Sequence, residues 1–381
     1  MIIFLLIIYG LYFICMMALI IGFRRIPLFN MKKDSPLTHF SIVIPFRNES
    51  ENLPSLLKSI SNLNYPSNQF EVLLVNDDSV DGYEEIIKSA IEKSTVSIHL
   101  LQNRRLSNSP KKDAITEAIK HSKFDWIITT DADCELPQYW LQTFDSFIQK
   151  KNQETNEPIM ICGPVIYKSN YSFIQNFQQM DGLSLQAVTL GSFGLKNPIL
   201  CNGANLAYRK DAFKTVNGFA GNDHIASGDD IFLMEKFKKI FPTKVKYLKS
   251  RDAIVSTKPQ ASWAKLINQR VRWASKTGKQ KSHLSIFLGL LVLMVNILFL
   301  LLPFAVILDI RNAFFYVGLI LFKMFLDLLV IKQTAKLFRR KISFINFPKL
   351  AFTYATVVIA VSFKSLNGKY SWKGRNFKNQ K

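Results

Sequence analysis

Trp126-Ile127-Ile128-Thr129-Thr130-Asp131-Ala132-Asp133 is an apolar run that ends in two carboxylates two residues apart. A short apolar run bounded by polar residues reads as a buried strand. A strand that ends in Asp-x-Asp presents two hard oxygen ligands at the open edge of a sheet. Such ligands suit Mg²⁺ or Mn²⁺, and Mg²⁺ is typically held by one or two carboxylates completed by substrate phosphates. The same triplet alone also describes a solvated turn, so its meaning rests on its neighbours.

Working outward, residues 38–281 alternate strand and helix. Phe40–Pro45, Phe70–Val75, Val96–Leu101 and Asp125–Thr130 read as strands, and Asn52–Leu63, Tyr83–Lys93 and Asp113–His121 as helices. Leu53, Leu56, Leu57 and Ile60 mark one helical face. This alternation predicts an α/β fold with a mainly parallel sheet covered on both faces. Ligands on such sheets bind beyond the carboxyl ends of the strands. Polar residues collect there: Arg47-Asn48-Glu49, Asn76-Asp77-Asp78-Ser79 and Asp131-Ala132-Asp133. Pro45-Phe46-Arg47-Asn48-Glu49 contains no glycine. That weighs against a dinucleotide-binding turn, and no phosphate-loop pattern is present.

The chain has 381 residues, 48% of them hydrophobic, with the apolar residues concentrated at both ends. Met1 to about Gly22 is almost wholly apolar and is followed by Arg24, Arg25, Lys32 and Lys33. Charges after the apolar core suggest an uncleaved anchor rather than a signal peptide, with its carboxyl side in the cytoplasm. Leu284–Leu308, Phe314–Ile331 and Ile342–Phe363 are further apolar segments. Lys323 and Asp327 are spaced i,i+4, as an internal ion pair would be. Pro348 and Lys349 interrupt the last segment, which spans the bilayer or lies in its interface. Positive charge on both sides of it (332–341 and the tail after Phe363) favours a re-entrant or surface-lying path. The expected organisation is an anchor at 1–23, a cytoplasmic domain at 38–281, two or three membrane helices within 284–363 and a basic tail at 364–381. Gln175–Leu190 reads as an interfacial helix.

The formal net charge is +21. The basic residues sit beside apolar segments, where they attract anionic membrane lipids. No helix-turn-helix, zinc-finger or RNA-binding signature appears, which argues against a nucleic acid partner. Cys15, Cys134, Cys162 and Cys201 lack metal-type spacing. Nothing in the pattern specifies an oligomeric state.

The polar segments fall in a familiar order. Ile44-Pro45-Phe46-Arg47-Asn48-Glu49 is followed by Val75-Asn76-Asp77-Asp78-Ser79-Val80-Asp81-Gly82, then Lys111 to Ala114, then Asp131-Ala132-Asp133. Asn202-Gly203-Ala204-Asn205, Gly228-Asp229-Asp230 and Gln269-Arg270-Val271-Arg272-Trp273 complete the series. Over residues 38–280 this resembles a membrane-bound family 2 glycosyltransferase with a GT-A fold, of the superfamily that includes cellulose and hyaluronan synthases. The resemblance implies an inverting transfer of sugar from a nucleotide-sugar donor to a lipid-linked or glycan acceptor. It implies Asp133 as the metal ligand, with Asp131 on the metal or ribose. Asp77 would contact the base and Glu49 the ribose; Lys111 would lie near base or phosphate, and Pro45 and Arg47 would line the donor site. Asp230 takes the general-base position, beside Asp229. Gln269, Arg270, Arg272 and Trp273 would meet the donor, Trp273 also the acceptor, and Cys201, Asn202 and Gly203 the acceptor side.

Plainer readings stand beside these. Asp77, Asp78 and Asp81 suit an Asx-type turn. Asp229 and Asp230 suit the start of a helix at Ile231. Gln269–Trp273 suits a basic interfacial helix. His224 is a loop histidine and Cys134 a packing residue. Two transferase types remain open, single addition to a lipid and processive polymerisation with extrusion. The Gln-x-x-Arg-Trp pattern favours the second, and the small number of membrane segments favours the first. An inactive membrane-anchored protein that binds a nucleotide-sugar or nucleic acid is the reading from another class.

Overall fold

The computed structural model describes residues 2–32, 34–154, 156–168, 172–276, 282–343, 345–366 and 369–378. Lys33, the expected domain end at Lys281 and the terminal Lys381 lie outside the described residues. The helices are α1 (Ile2–Arg25), α2 (Leu53–Ser61), α3 (Tyr83–Lys93), α4 (Pro110–His121), α5 (Trp140–Gln153), α6 (Phe173–Gly194), α7 (Lys210–Thr215), α8 (Ile231–Ile240), α9 (Trp263–Ala274), α10 (His283–Leu308), α11 (Ala313–Leu337) and α12 (Phe347–Leu366). The strands are β1 (Phe40–Phe46), β2 (Phe70–Asn76), β3 (Ser97–Gln102), β4 (Trp126–Thr129), β5 (Cys134–Glu135), β6 (Met160–Cys162), β7 (Val165–Tyr167), β8 (Leu206–Arg209), β9 (Val245–Tyr247), β10 (Val255–Thr257), β11 (Lys369–Trp372) and β12 (Arg375–Lys378). The chain divides into two compact units.

One unit comprises residues 27–168 and 200–258. Its main sheet has the order β3-β2-β1-β4-β8-β6-β9. β1 runs parallel to both β2 and β4, while β8 runs antiparallel to β4 and β6. β2 and β4 are buried throughout, and β1 throughout except at Pro45, so they read as continuous apolar runs. β3 is the edge, and its burial alternates along the strand. Pro45 lies beyond Phe40–Val43, the stretch of β1 paired to β4, so its missing N–H removes no bond of that ladder. The chain steps from β1 to β2 to β3, then returns to place β4 on the far side of β1. This reversal is a topological switch point, where open α/β sheets hold their ligands. The antiparallel β8 begins where β4 ends, so residues 201–205 reach the same edge. A small sheet, β5-β10-β7, continues from Asp133.

The other unit comprises residues 1–26, 169–199 and 259–381. Among the described residues, four of its helices are long and apolar enough to cross a membrane: α1, α10, residues 310–337 with α11, and α12. Pro348 and Lys349 begin α12 rather than interrupt it, because a proline in the first turn lacks only an N–H that has no helical partner. Lys323 and Asp327 form the expected ion pair at 2.7 Å. α6 runs along α1 at backbone contact. A Cβ on Gly194 would lie 1.8 Å from the Gly22 carbonyl oxygen, and one on Gly22 would lie 2.1 Å from that of Gly191. The helix expected over Gln175–Leu190 is therefore longer and packed on a neighbouring helix, because Gly191 and Gly194 open its surface to Gly22 of α1. The tail forms a β11–β12 hairpin rather than a bare basic extension.

Candidate active site

The switch-point edge gathers four chain segments. Lys111, in the first turn of α4, places its ammonium 2.7 Å from Asp131 Oδ1 and 3.0 Å from Asp229 Oδ2. Burial opposes the lysine charge, but the Asp131 and Asp229 carboxylates outweigh it and hold the Lys111 pKa well above the ordinary value. The Gly203 N–H donates to Asp230 Oδ2 at 3.3 Å. Thr129, the last residue of β4, donates from its hydroxyl to the Gly203 carbonyl at 2.6 Å. A Cβ on Gly203 would lie 2.8 Å from Asp229 Oδ2. An alanine there would therefore push the Asp229 carboxylate aside. Asp230 also accepts from the Ile231 N–H at 2.7 Å and caps α8. Capping fixes this carboxylate at the sheet edge.

Asp131 and Asp133 stand immediately beyond β4. Cys134, next in sequence, is buried; burial first, then Asp133 and Asp131, push its thiol pKa well above the ordinary value. It is a packing thiol rather than a thiolate ligand. The donor set is thus two carboxylates of the hard-oxygen type. That set fits Mg²⁺ or Mn²⁺ completed by phosphate oxygens better than a closed protein cage. Among the described residues, no group of three or more His, Cys, Asp or Glu side chains could close such a cage.

A second cluster lies at the ends of β1 and β2. Asp77 is 5% exposed, and its Oδ1 accepts from Arg105 Nε at 2.7 Å and Asn103 Nδ2 at 2.9 Å. Arg105 also pairs with Asp78. Arg47 donates to the carbonyls of Asp77 and Asp78 at 2.6 and 2.7 Å. Asn48 and Asp78 both adopt left-handed backbone, at φ 50° and 55°. The two loops are cross-linked again by Val80 N–H to Asn48 Oδ1 and by Ser50 N–H to Asp81. Arg47 thus fastens loop to loop. Glu49, 8% exposed, accepts from Asn52 Nδ2 at 2.5 Å at the start of α2. Arg105 and Asn103 were not singled out in the sequence, because they follow an edge strand outside any motif.

The remaining expected residues separate. Cys201 and Asn202 are half-buried beside Gly203, and the Asn202 side chain accepts from the Ala204 N–H. Asn205 faces the core instead. It receives Trp140 Nε1 at 2.9 Å and donates to the carbonyls of Pro164 and Ala253. His224 is exposed, and its ring stands 3.8 Å from Asp223. Gln269–Trp273 lies on α9 of the unit that carries the apolar helices. Arg270 there is 8% exposed and donates from Nε to Asp181 at 2.7 Å. Its guanidinium lies over the Trp273 ring at 4.2 Å and donates to Gln269 Oε1 at 2.7 Å. Arg270 is expected at the donor. The structure commits it to Asp181, because a buried guanidinium requires a buried carboxylate.

The family described as glycosyl transferase family 2 matches residues 41–216. The glycosyltransferase AglE of Haloferax volcanii is 24% identical over 205 residues, 52% of this chain and 60% of that protein. A poly-beta-1,6-N-acetyl-D-glucosamine synthase of Staphylococcus epidermidis is 27% identical over 239 residues, 61% of this chain and 53% of that protein. An undecaprenyl-phosphate 4-deoxy-4-formamido-L-arabinose transferase of Pseudomonas savastanoi is 36% identical over 107 residues, 27% of this chain and 30% of that protein. The chain thus spans about half the length of these first relatives, and less of the third. Among solved structures, a mannosyltransferase of Pyrobaculum calidifontis in complex with GDP-Man and Mn²⁺ aligns with a TM-score of 0.58. It is 14% identical, and the alignment covers 95% of this chain and 96% of that one. At that identity the likeness establishes the fold.

Proposed function

This chain carries a family 2 glycosyltransferase domain over residues 41–216, and from that premise we propose that it moves a sugar from a nucleotide-diphosphate donor to a lipid-linked or glycan acceptor, with inversion at the anomeric carbon. The observation that carries this reading is the acidic cluster at the switch point, where Lys111 bridges Asp131 and Asp229 and Gly203 holds Asp230. Asp131 and Asp133 are the residues to hold Mg²⁺ or Mn²⁺, which when bound would neutralise the diphosphate leaving group. Lys111 supplies a second positive charge at the same edge, where charge develops as the bond breaks. Glu49 and Asp77 are assigned to ribose and base, with Pro45 and Arg47 shaping that side.

Asp230 acts as general base. The acceptor oxygen forms its bond to the anomeric carbon as the carbon–phosphate oxygen bond breaks. The bonding electrons leave with the diphosphate, and the acceptor proton passes to the Asp230 carboxylate. One displacement inverts the centre, so no protein nucleophile is needed. Asp229 keeps Lys111 in place. Cys201, Asn202 and Gly203 face the acceptor. On α9, Arg272 is assigned to phosphate and Trp273 to a sugar ring, with Gln269 and Arg270 supporting them. The basic residues after α1 favour a cytoplasmic catalytic unit at the cell's inner membrane.

Polymer synthesis is the second reading. It is favoured by the Gln269–Trp273 motif and by the similarity to a polysaccharide synthase. Turnover of radiolabelled UDP-glucose, UDP-N-acetylglucosamine and GDP-mannose by membranes containing the chain, with Mn²⁺ or Mg²⁺ against EDTA, tests both. A metal-dependent, lipid-extractable small product is expected. A high-mass ladder would establish the second reading, and no transfer from any donor would count against both.

A further inference from the structure

Asp181 lies on α6, on the face that grips α9. The grip is made at three successive places. Gln178 donates to the Gln260 carbonyl at 2.9 Å and accepts from the Gln260 N–H at 2.7 Å, just ahead of α9. Phe177 packs on Trp263 with ring centroids 5.2 Å apart. One turn further along α6, Asp181 receives Arg270 Nε at 2.7 Å and pairs with its terminal nitrogen at 2.5 Å. Arg270 in turn lies 4.2 Å over the Trp273 ring and bonds Gln269. One carboxylate outside the motif thus organises three of the motif's five residues.

Helical geometry explains why this position matters. Each residue advances about 100° around a helix. With Arg270 turned into α6, Arg272 faces another side. Trp273, three residues from Arg270, stays beneath the guanidinium as an i,i+3 neighbour. The two arginines therefore do different work. Asp181 fixes Arg270, Arg270 fixes the plane of the indole, and Arg272 keeps its own face. Val271, about 100° around the helix from Arg270, packs in a cluster with Val361 and Tyr370, so α9 is held on a second side.

We propose that Asp181 is a positioning residue for glycosyl transfer, setting the Trp273 plane through Arg270. The proposal rests on the assignment of Trp273 to a sugar ring given above. Asp181 touches no reacting atom, and its effect is on orientation, where a displacement of about 1 Å can cost about 10²-fold in rate.

The test uses the full chain in detergent, with Asp181→Asn, Asp181→Ala and Asp181→Glu. The first readout needs no substrate: the Trp273 contribution to fluorescence, taken as the difference between each protein and its Trp273→Phe counterpart. Asp181→Asn and Asp181→Ala should shift that emission and raise its quenching by acrylamide. Asp181→Glu should leave it near the parent. The second readout is transfer to undecaprenyl phosphate from whichever radiolabelled nucleotide sugar the parent uses, beside binding of UDP or GDP with Mn²⁺. Transfer should fall about 10–100-fold in the Asn and Ala variants, with nucleotide binding nearly unchanged and activity restored by Glu. An unchanged Trp273 signal in a folded Asp181→Asn protein would overturn the proposal. So would equal losses of transfer, nucleotide binding and thermal stability. If the parent transfers nothing, either to this lipid or to acceptors in its native membranes, the glycosyl-transfer reading fails, and the Trp273 signal alone decides the role of Asp181. Should Asp181→Ala not fold, the isosteric Asp181→Asn carries the test.

Discussion

Lys111 joins two carboxylates that the chain brings from distant segments, one after β4 and one before α8. Gly203 leaves room for them, because a Cβ there would lie 2.8 Å from Asp229 Oδ2 and would shift that carboxylate. Gly203→Ala should therefore fold, displace Asp229 and Lys111, and lower transfer by about 10²-fold. Parent-like turnover in a protein with a parent-like melting temperature would remove this glycine from the account. The acidic residues were legible in the sequence, because each stands at the end of an apolar run or the start of a helix. Their partners were not. Arg105 reaches Asp77 from beyond the edge strand, and Asn205 turns inward to bind Trp140 and two carbonyls. Such hydrogen bonds link residues whose sequence spacing carries no pattern.

At the level of elements, periodicity marked α2, α3, α4 and the strands β1 to β4 to within a few residues, since each buries one face or both, whereas α5 and α7 went unread. It missed contacts that depend on what is absent. The glycines that let α6 lie on α1 read as breaks in an apolar face rather than as an interface. The terminal hairpin was hidden by its lysines. Its turn, Lys373-Gly374, has positive φ at both residues, the geometry that suits a two-residue hairpin, and Tyr370 stacks on Phe377 across it. In the apolar helices, Lys323 meets Asp327 as an ion pair and lies 4.5 Å over the Phe299 ring. Tyr12 donates to the same carboxylate at 2.5 Å. Three helices therefore converge on one buried pair. Lys323→Ala should cost about 3–5 kcal/mol by leaving Asp327 uncompensated. The double variant Lys323→Met, Asp327→Leu should recover most of that loss in thermal denaturation in detergent. A single variant as stable as the parent would show that the pair does not join these helices.

At the scale of the whole molecule, charge and fold make separate demands. The net charge of +21 opposes compaction, and raising pH relieves it. Lys249 adds a local effect of the same sign. Burial lowers its pKa to about 8, below the unfolded value of about 10.4. Below pH 8 both states hold the proton, and the lowered folded-state pKa counts fully against stability. Between about pH 8 and 10.4 the folded state releases it first, so stability rises with pH in that window. Lys249→Met should flatten this rise and stabilise the protein at pH 7; an unchanged pH profile would assign the rise to net charge alone. The division into a sheet unit and a helical unit was partly legible, since apolar runs and alternating elements separate along the chain. The grouping of residues 169–199 and 259–276 with the apolar helices was not, because it depends on contacts between distant segments. Asp230 is proposed as the base of a metal-assisted transfer, and Asp230→Asn separates that role from donor binding. Mn²⁺-dependent binding of the donor nucleotide should stay near the parent while turnover falls about 10²–10⁴-fold. Retained turnover in that variant would contradict the account.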